Sequence, residues 1–431
     1  MPDRLARHLL PEPRIGGVGA DPGTSRIAQV ANYVGPSSGG LRVVVEQLGR
    51  AQVRAGRSRL LVLPAEHDSC SGLGRDRRVT VAGPPLPRSH GRYRVLARRA
   101  PVIEALEAFG PDVVEVHDQT TLAWVGDWAR ANGVRTVLFC HERLDLVLGE
   151  ALGLPGRVLD RPFRRWSARL AGSFDTVVCA SRFAAEPFAG LGSVDLHIVP
   201  FGVDLDTFHP TPDGGAAGAA AGDRPGGSRA DEAWGGPRDG VGRLIFAGRL
   251  FPEKAPDVAL DVLARLHAAG EPVRLLMIGS GPMQAMLHRR AERERLPVRF
   301  LGHLGGRADL AALVASADVA LSPGPRETFG LGVLEAMACG TPVVVSSGGA
   351  SRELVVPAAG GTGGTVDELA EVARRWLADP RGRSERGQAA RARAEQFPWT
   401  ATVAALEAIV YGRAIPAVGP SSRRRPNVQN R

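Results

Sequence analysis

RLIFAGRLFPEKAPDVALDVLARLHAAGEPVRLLMIG, residues 243–279, decides the architecture of this chain. It opens on a near-continuous apolar run, RLIFAG (243–248), and closes on another, RLLMIG (274–279). Short apolar runs bounded by Gly and Pro read as strands buried on both faces, the kind found in parallel sheets. Between them PDVALDVLARLHAAG (256–270) carries a helical period, with Pro256 suited to the first turn and Gly270 to the end. Strand, helix and strand in that order make a parallel crossover unit.

The same alternation extends both ways. Upstream lie RIAQVAN (26–32), RLLVLP (59–64), RVTVAG (78–83), DVVEVH (112–117), RTVLFC (135–140), DTVVCA (175–180) and HIVP (197–200). Downstream lie VRFLG (298–302), DVALS (318–322) and TPVVVS (341–346). Two successive sets predict an α/β protein of two doubly wound, Rossmann-like domains, residues 26–210 and 243–413. Such domains face each other across a cleft at the carboxyl ends of their strands, where ligands bind. Residues 211–242, rich in Gly, Ala and Pro without an apolar period, read as a flexible insertion at the junction. Residues 1–25 and 414–431 read as disordered extensions, the second basic. Helices over 366–378, 384–396 and 399–412 are expected to close the second domain.

The 431 residues, 44% hydrophobic, suffice for two full cores. No run approaches the ~18 apolar residues of a membrane span. The first 25 residues lack an apolar core, so no secretory signal is expected. Cys70, Cys140, Cys179 and Cys339 are scattered without a CxxC, which fits a reducing cytoplasm and no disulfide or zinc framework. Cys140 and Cys179 end apolar runs and are expected to be buried thiols. The net charge is +9, and residues 42–100 hold 13 arginines against four acids. One segment therefore carries the whole excess, which suggests an anionic partner. No aromatic-studded motif accompanies it, so a nucleic acid is not the expected partner.

PGPRETFGLGVLEAMACGTPVVVS (323–346) is the most informative stretch for chemistry. After the strand DVALS, ETFGLG forms a tight turn, and VLEAMACG reads as a helix ended by Gly340. The turn presents backbone N–H groups at a helix N-terminus, a site suited to a diphosphate. Glu327 enters that turn and Glu335 follows eight residues later. Carboxylates repel phosphate but accept hydrogen bonds from sugar and ribose hydroxyls. RLIFAG delivers Arg249 and Lys254 to the same sheet edge, and Lys254 is the only lysine among 54 cationic Lys and Arg side chains. Two cations beside a helix N-terminus suit a leaving diphosphate.

In the first domain Gly39 and Gly40 open a helix and let backbone approach a ligand. The spacing is not GxGxxG and no acid is placed for a ribose, which argues against an NAD enzyme. His141 in FCHERLD, and His117 with Asp118 in VHD, fall at strand ends on the cleft edge. The DxD of VDLDTF (203–208) sits where the chain runs out of the domain and reads as a hinge turn.

Arg249, Lys254 and the Glu327/Glu335 spacing resemble retaining glycosyltransferases of the GT-B fold, family four, and VPFGVDLDTFHP (199–210) resembles that family's inter-domain segment. QVANYVGPSSGGLR (29–42), PDVVEVHDQTTL (111–122), CHERLD (140–145) and SPGPRETFGL (322–331) are similar to bacterial GDP-mannose-dependent phosphatidylinositol mannoside α-mannosyltransferases, of the type that adds a third, α-1,6-linked mannose. The resemblance implies that Arg249 and Lys254 bind the donor diphosphate and that Glu335 holds the ribose hydroxyls. Glu327, with the backbone of Phe329, Gly330 and Leu331, would hold the donor sugar and phosphate. His141 would line the reaction centre, and Gly39 and Gly40 would let their loop reach diphosphate and acceptor. GDP-mannose would be a substrate, and no cofactor or protein-held metal is implied. Ala255 stands where the family usually has glycine, and GGTGGTVDELA (360–370) is a degenerate form of a nucleotide-side segment.

An anionic glycolipid acceptor gives the basic segment a use at the inner face of the plasma membrane. Arg42, Arg50, Arg54 and Arg57, Arg94 and Arg98 in GRYRVLARR (91–99), and Phe163 and Trp166 in RVLDRPFRRWSARL (157–170) are the membrane candidates, with Asp118 facing the acceptor. No carboxylate stands out as a β-face nucleophile, so front-face attack within an ion-pair-like transition state is the expected route to retention. Hydroxyl-binding carboxylates serve many hexoses, so UDP-glucose or UDP-GlcNAc with a soluble glycoside acceptor stays open. A non-catalytic sugar-nucleotide-binding protein at the membrane is the remaining alternative, and the intact motif set argues against it.

Overall fold

A computed structural model describes residues 25–35, 39–86, 93–153, 156–192, 194–211 and 229–411. The expected disordered ends, 1–25 but for Ser25 and 414–431, lie outside the described residues.

The first sheet has eight strands: β1 (Arg26–Val30), β2 (Ser58–Ala65), β3 (Ser69–Leu73), β4 (Asp76–Ala82), β5 (Val113–Val116), β6 (Arg135–Cys140), β7 (Thr176–Cys179) and β8 (Leu196–Ile198). Their order is β3-β4-β2-β1-β5-β6-β7-β8, all parallel except β3, which runs antiparallel to β4. The second sheet holds β9 (Gly242–Ala247), β10 (Val273–Ile278), β11 (Val298–Gly302), β12 (Val319–Ser322), β13 (Val343–Ser346) and β14 (Gly360–Gly363), ordered β11-β10-β9-β12-β13-β14 and parallel throughout. Strand order reverses between β1 and β5 in one sheet and between β9 and β12 in the other. The four loops leaving those strands are the natural walls of a crevice. Strand interiors such as Leu244–Phe246 and Val343–Val345 are fully covered, as their unbroken apolar pattern requires. Cys140, Cys179 and Cys339 are free and buried.

Two sequence expectations need correction here. Of the insertion expected over 211–242, residues 212–228 lie outside the described residues, and 229–242 are docked: Arg229–Trp234 is helical, and Trp234 is 1% exposed with its indole N–H donating to Ser316 Oγ at 2.8 Å. The guanidinium of Arg243 lies 5.3 Å from the Trp234 ring, so one aromatic docks the segment on β9. The helix Trp399–Leu406 and the turn Glu407–Tyr411 do not simply close the second domain. They return to the first, where Arg57 pairs with Glu407, Tyr411 donates to Glu115, and Arg135 donates to the Val410 carbonyl. A helix that follows the last strand of its domain finds its apolar partner wherever surface is left uncovered, and its sequence does not say which domain offers it.

The junction itself is tightly built. Val203 N donates to Phe397 O at 2.9 Å, and a Cβ on Gly202 would sit 2.4 Å from Trp399 N. Asp204 of the DxD accepts from Thr207 N and Oγ1, which closes a turn. The core that contains Phe201, Val203 and Phe208 runs without a break into Phe329, Val333 and Leu334 of the second domain. Glu353 accepts from the N–H groups of Arg182 and Phe183, and Ser181 Oγ donates to Thr328 O, so the facing loops are latched together.

Candidate active site

The two crevices merge into one cleft of about 850 Å³ lined from both domains. From the first domain come Gly39 and Gly40 at the start of the helix Gly40–Arg54, which follows β1, and His117 and His141 at the ends of β5 and β6. From the second come Arg249 and Lys254 after β9 and Glu327 to Glu335 after β12. A Cβ on Gly40 would lie 3.0 Å from Leu331 Cδ1, so the two helix starts face each other at near contact.

Lys254 and Glu327, given separate roles in the sequence reading, are partners: Nζ donates to Oε2. Burial pushes the Glu327 carboxyl up, but the Lys254 charge and hydrogen bond, Arg249 and the Phe329 N–H outweigh it and hold it below its ordinary value. Gly330, at φ 102°, lets the chain turn sharply into the helix Leu331–Ala338, whose free N–H groups open on the cleft. Arg249 donates to Tyr93 Oη at 3.2 Å and to Glu253 at 3.0 Å. Glu335 lies farther along the same helix, 3.0 Å from Arg307, and burial raises its carboxyl despite that cation.

Ala255 adopts φ 48°, ψ 54° between the Lys254 turn and the helix Pro256–Ala268. The left-handed region explains why glycine suits this position, and alanine there is strained. Ala255→Gly is expected to raise the unfolding free energy by about 1 kcal/mol, measured by urea titration.

His141 stacks on His117 at 5.2 Å and on Phe201 at 5.7 Å. Its pKa sits well below the ordinary 6.5 because it is buried and beside His117. The neutral imidazole is the form it offers. Thr328 Oγ1 donates to the His141 carbonyl at 2.7 Å, fixing this strand end from the opposite domain.

Several candidates from the sequence are taken up by other contacts. Asp118 stays on the cleft lining, but its carboxylate accepts from Asn32 Nδ2 and from the N–H and hydroxyl of both Thr120 and Thr121, so it braces its own loop there. From the segment after β4, Arg94 pairs with Glu66 and Arg98 with Asp68, both acids in the β2–β3 turn. Arg57, 2% exposed, is spent on Glu407. Trp166 packs on the first-domain core, edge-on to Phe163, and anchors its helix instead of projecting from it. Arg42 remains exposed on the first turn of its helix. The 360–370 segment supplies edge strand β14 and the Thr365 cap of the next helix, away from the cleft lining.

Two cleft residues went unnoticed in the sequence. Glu142 opens to the cleft, and confinement raises its carboxyl against the pull of Arg249 and Lys254. Tyr33 holds φ 58°, unusual for a bulky residue, with its hydroxyl 2.9 Å from Thr120 Oγ1. Both lie inside stretches already singled out. Their signal was adjacency to His141 and to the Gly39 loop.

Two Rossmann-like domains facing across a cleft, with cations and a helix start on one wall, define a GT-B glycosyltransferase. Family models agree: glycosyl transferases group 1 matches residues 232–393 and glycosyltransferase family 4 matches 38–207. The chain belongs to the family 4 glycosyltransferases. It is 39% identical over 394 residues to a GDP-mannose-dependent alpha-(1-6)-phosphatidylinositol dimannoside mannosyltransferase of Mycobacterium tuberculosis, covering 90% of this chain and 97% of that one. A GDP-mannose-dependent monoacylated alpha-(1-6)-phosphatidylinositol monomannoside mannosyltransferase of Corynebacterium glutamicum is 36% identical over 161 residues, 35% of this chain and 42% of that one. Among solved structures, a sucrose-phosphate synthase from Thermosynechococcus elongatus superposes with TM-score 0.72 at 21% identity, covering 89% of this chain and 98% of that one. Anabaena HepE in complex with UDP and glucose does so with TM-score 0.67 at 19% identity, covering 88% and 98%.

Proposed function

We propose that this enzyme transfers mannose from GDP-mannose to a phosphatidylinositol mannoside presented at a membrane surface, forming an α-1,6 linkage with retention. The observation that carries the reading is the Lys254–Glu327 pair beside Arg249 at the start of the helix Leu331–Ala338. A diphosphate entering there meets two cations and free N–H groups, while Glu327 stays ionised to accept from a sugar hydroxyl. The near full-length likeness to a dimannoside mannosyltransferase supports the donor and acceptor. Arg249 and Lys254 take the developing charge of the leaving group, and the acceptor hydroxyl attacks from the same face, its proton passing to the diphosphate. Among the described residues no helix is long and apolar enough to cross a membrane.

The test is transfer from GDP-mannose, UDP-glucose and UDP-GlcNAc to phosphatidylinositol dimannoside vesicles, with and without EDTA. Transfer from GDP-mannose alone, unchanged by the chelator, is expected. Transfer from a UDP-sugar to a soluble glycoside would keep the family and overturn donor and acceptor.

Glu335 gives a second expected result. An acid with a raised folded-state pKa makes the fold lose stability as pH rises past its ordinary 4.5. Glu335→Gln removes that loss. Its ligand-free melting temperature should exceed wild type near pH 7 and match it below pH ~4. Nucleotide affinity should fall about 10-fold by calorimetry, because a charged acceptor for the ribose hydroxyls is gone.

A further inference from the structure

We propose that Glu115, His117 and Tyr411 are positioning residues that hold His141 in a single tautomer, Nε2 protonated and Nδ1 bare. The inference rests on reading the cleft as the site of glycosyl transfer. Glu115 sits on β5, fully buried. Gln29 Nε2 donates to its Oε2 at 2.7 Å, while Gln52 Nε2, at 2.7 Å, and the Tyr411 hydroxyl donate to its Oε1. Three donors converging on one carboxyl call for the acceptor-only, ionised form.

His117 Nε2 lies 3.6 Å from Glu115 Oε2, sealed from water and without another partner. A bare lone pair facing a carboxylate would be repelled, so that nitrogen carries the hydrogen. His117 is then an acceptor at Nδ1, which is 3.0 Å from His141 Nε2. His141 must donate from Nε2, and its Nδ1 is left without a hydrogen. Phe139, His117, His141 and Phe201 form a continuous stack with centroid spacings of 4.6, 5.2 and 5.7 Å, which holds both imidazole planes. His141 lines the cleft, so it offers the bound sugar a fixed hydrogen-bond acceptor. The last turn of the described chain, through Tyr411, thereby sets the chemistry at the end of β6.

The experiment uses the full chain with 15N-labelled histidine. Imidazole nitrogen shifts of His117 and His141 are assigned with His117→Gln and His141→Gln. In the wild type His141 should show a protonated Nε2 and a bare Nδ1. In Glu115→Gln the two tautomers should mix, and kcat should fall about 10- to 100-fold with donor KM within about twofold. Tyr411→Phe, which removes one of the three donors to Glu115, should move both readouts the same way by less. A proton on Nδ1 of His141, or unchanged tautomer and kcat in Glu115→Gln, overturns the proposal. The expected tautomers in a protein that transfers no sugar would support this inference and sink the functional reading alone.

Discussion

Lys254→Ala is expected to lower kcat by about 10²- to 10³-fold, the usual effect of removing one preorganised group aimed at developing charge. The side chain does two jobs. On the proposed function it meets the charge of the leaving diphosphate, and in the structure it helps hold the Glu327 carboxyl below its ordinary value inside the cleft. Without it only Arg249 and the Phe329 N–H oppose burial, and the carboxyl moves towards the neutral form. The fold should lose about 2 kcal/mol, between the value of an exposed pair and that of a sealed one. The pH dependence has a fixed sign. A carboxyl held below its ordinary 4.5 contributes stability above that pH and loses it as pH falls through the folded value. The wild-type advantage over Lys254→Ala should therefore be full at pH 6 and above and shrink below pH 4.5. Lys254→Arg should restore the charge but not full turnover, because a planar guanidinium fork does not reproduce the compact ammonium that meets Glu327. Single-turnover kinetics and urea titrations at pH 4 and 7 measure both effects.

Gly349→Ala should cost about 10- to 100-fold in kcat and about 1–3 kcal/mol in stability. Gly349 has φ +71°, and an added methyl would lie 2.9 Å from Pro325 O and 3.1 Å from both Glu327 N and O. The neighbouring Ala350 N–H donates to Glu327 O at 2.7 Å, so this turn is the bed on which Glu327 rests. A displacement of 1 Å there moves the carboxylate away from Lys254. Gly74→Ala separates backbone strain from that displacement. Gly74 has φ +59° in the β3–β4 turn, and its added Cβ meets nothing within 4 Å. It should lose comparable stability and keep its kcat.

The sheets were legible because strands buried on both faces leave unbroken apolar runs, as RLIFAG and TPVVVS do. β3, SCSGL, escaped because it is an exposed edge strand with no such run. The second-domain wall was legible because Arg249, Lys254, Glu327 and Glu335 lie in two compact stretches at strand ends. Partnership was not. Nothing in the chain says that Lys254 faces Glu327, that five donors saturate Asp118, or that Arg94 and Arg98 find acids in the β2–β3 turn. Those facts depend on long-range register. The basic segment reads as a lipid-facing surface in one dimension, while in three dimensions several of its charges are absorbed by neighbours. Trp234 shows the converse: one aromatic in a Gly-rich stretch is enough to dock it.

The closing turn that delivers Glu407 and Tyr411 also has a consequence for synthesis on the ribosome. When residue 210 has been made, every strand of the first sheet exists, but Arg57 lacks its acid and Glu115 lacks one of its donors. Both arrive about 200 residues later, roughly 10 to 40 seconds at ordinary translation rates. The nascent first domain therefore waits with a half-satisfied polar interior. Its final locking, and with it the imidazole pair on the cleft lining, is deferred until residue 411 has been made. An abortive, truncated product would carry the arginine-rich face without a finished active site behind it.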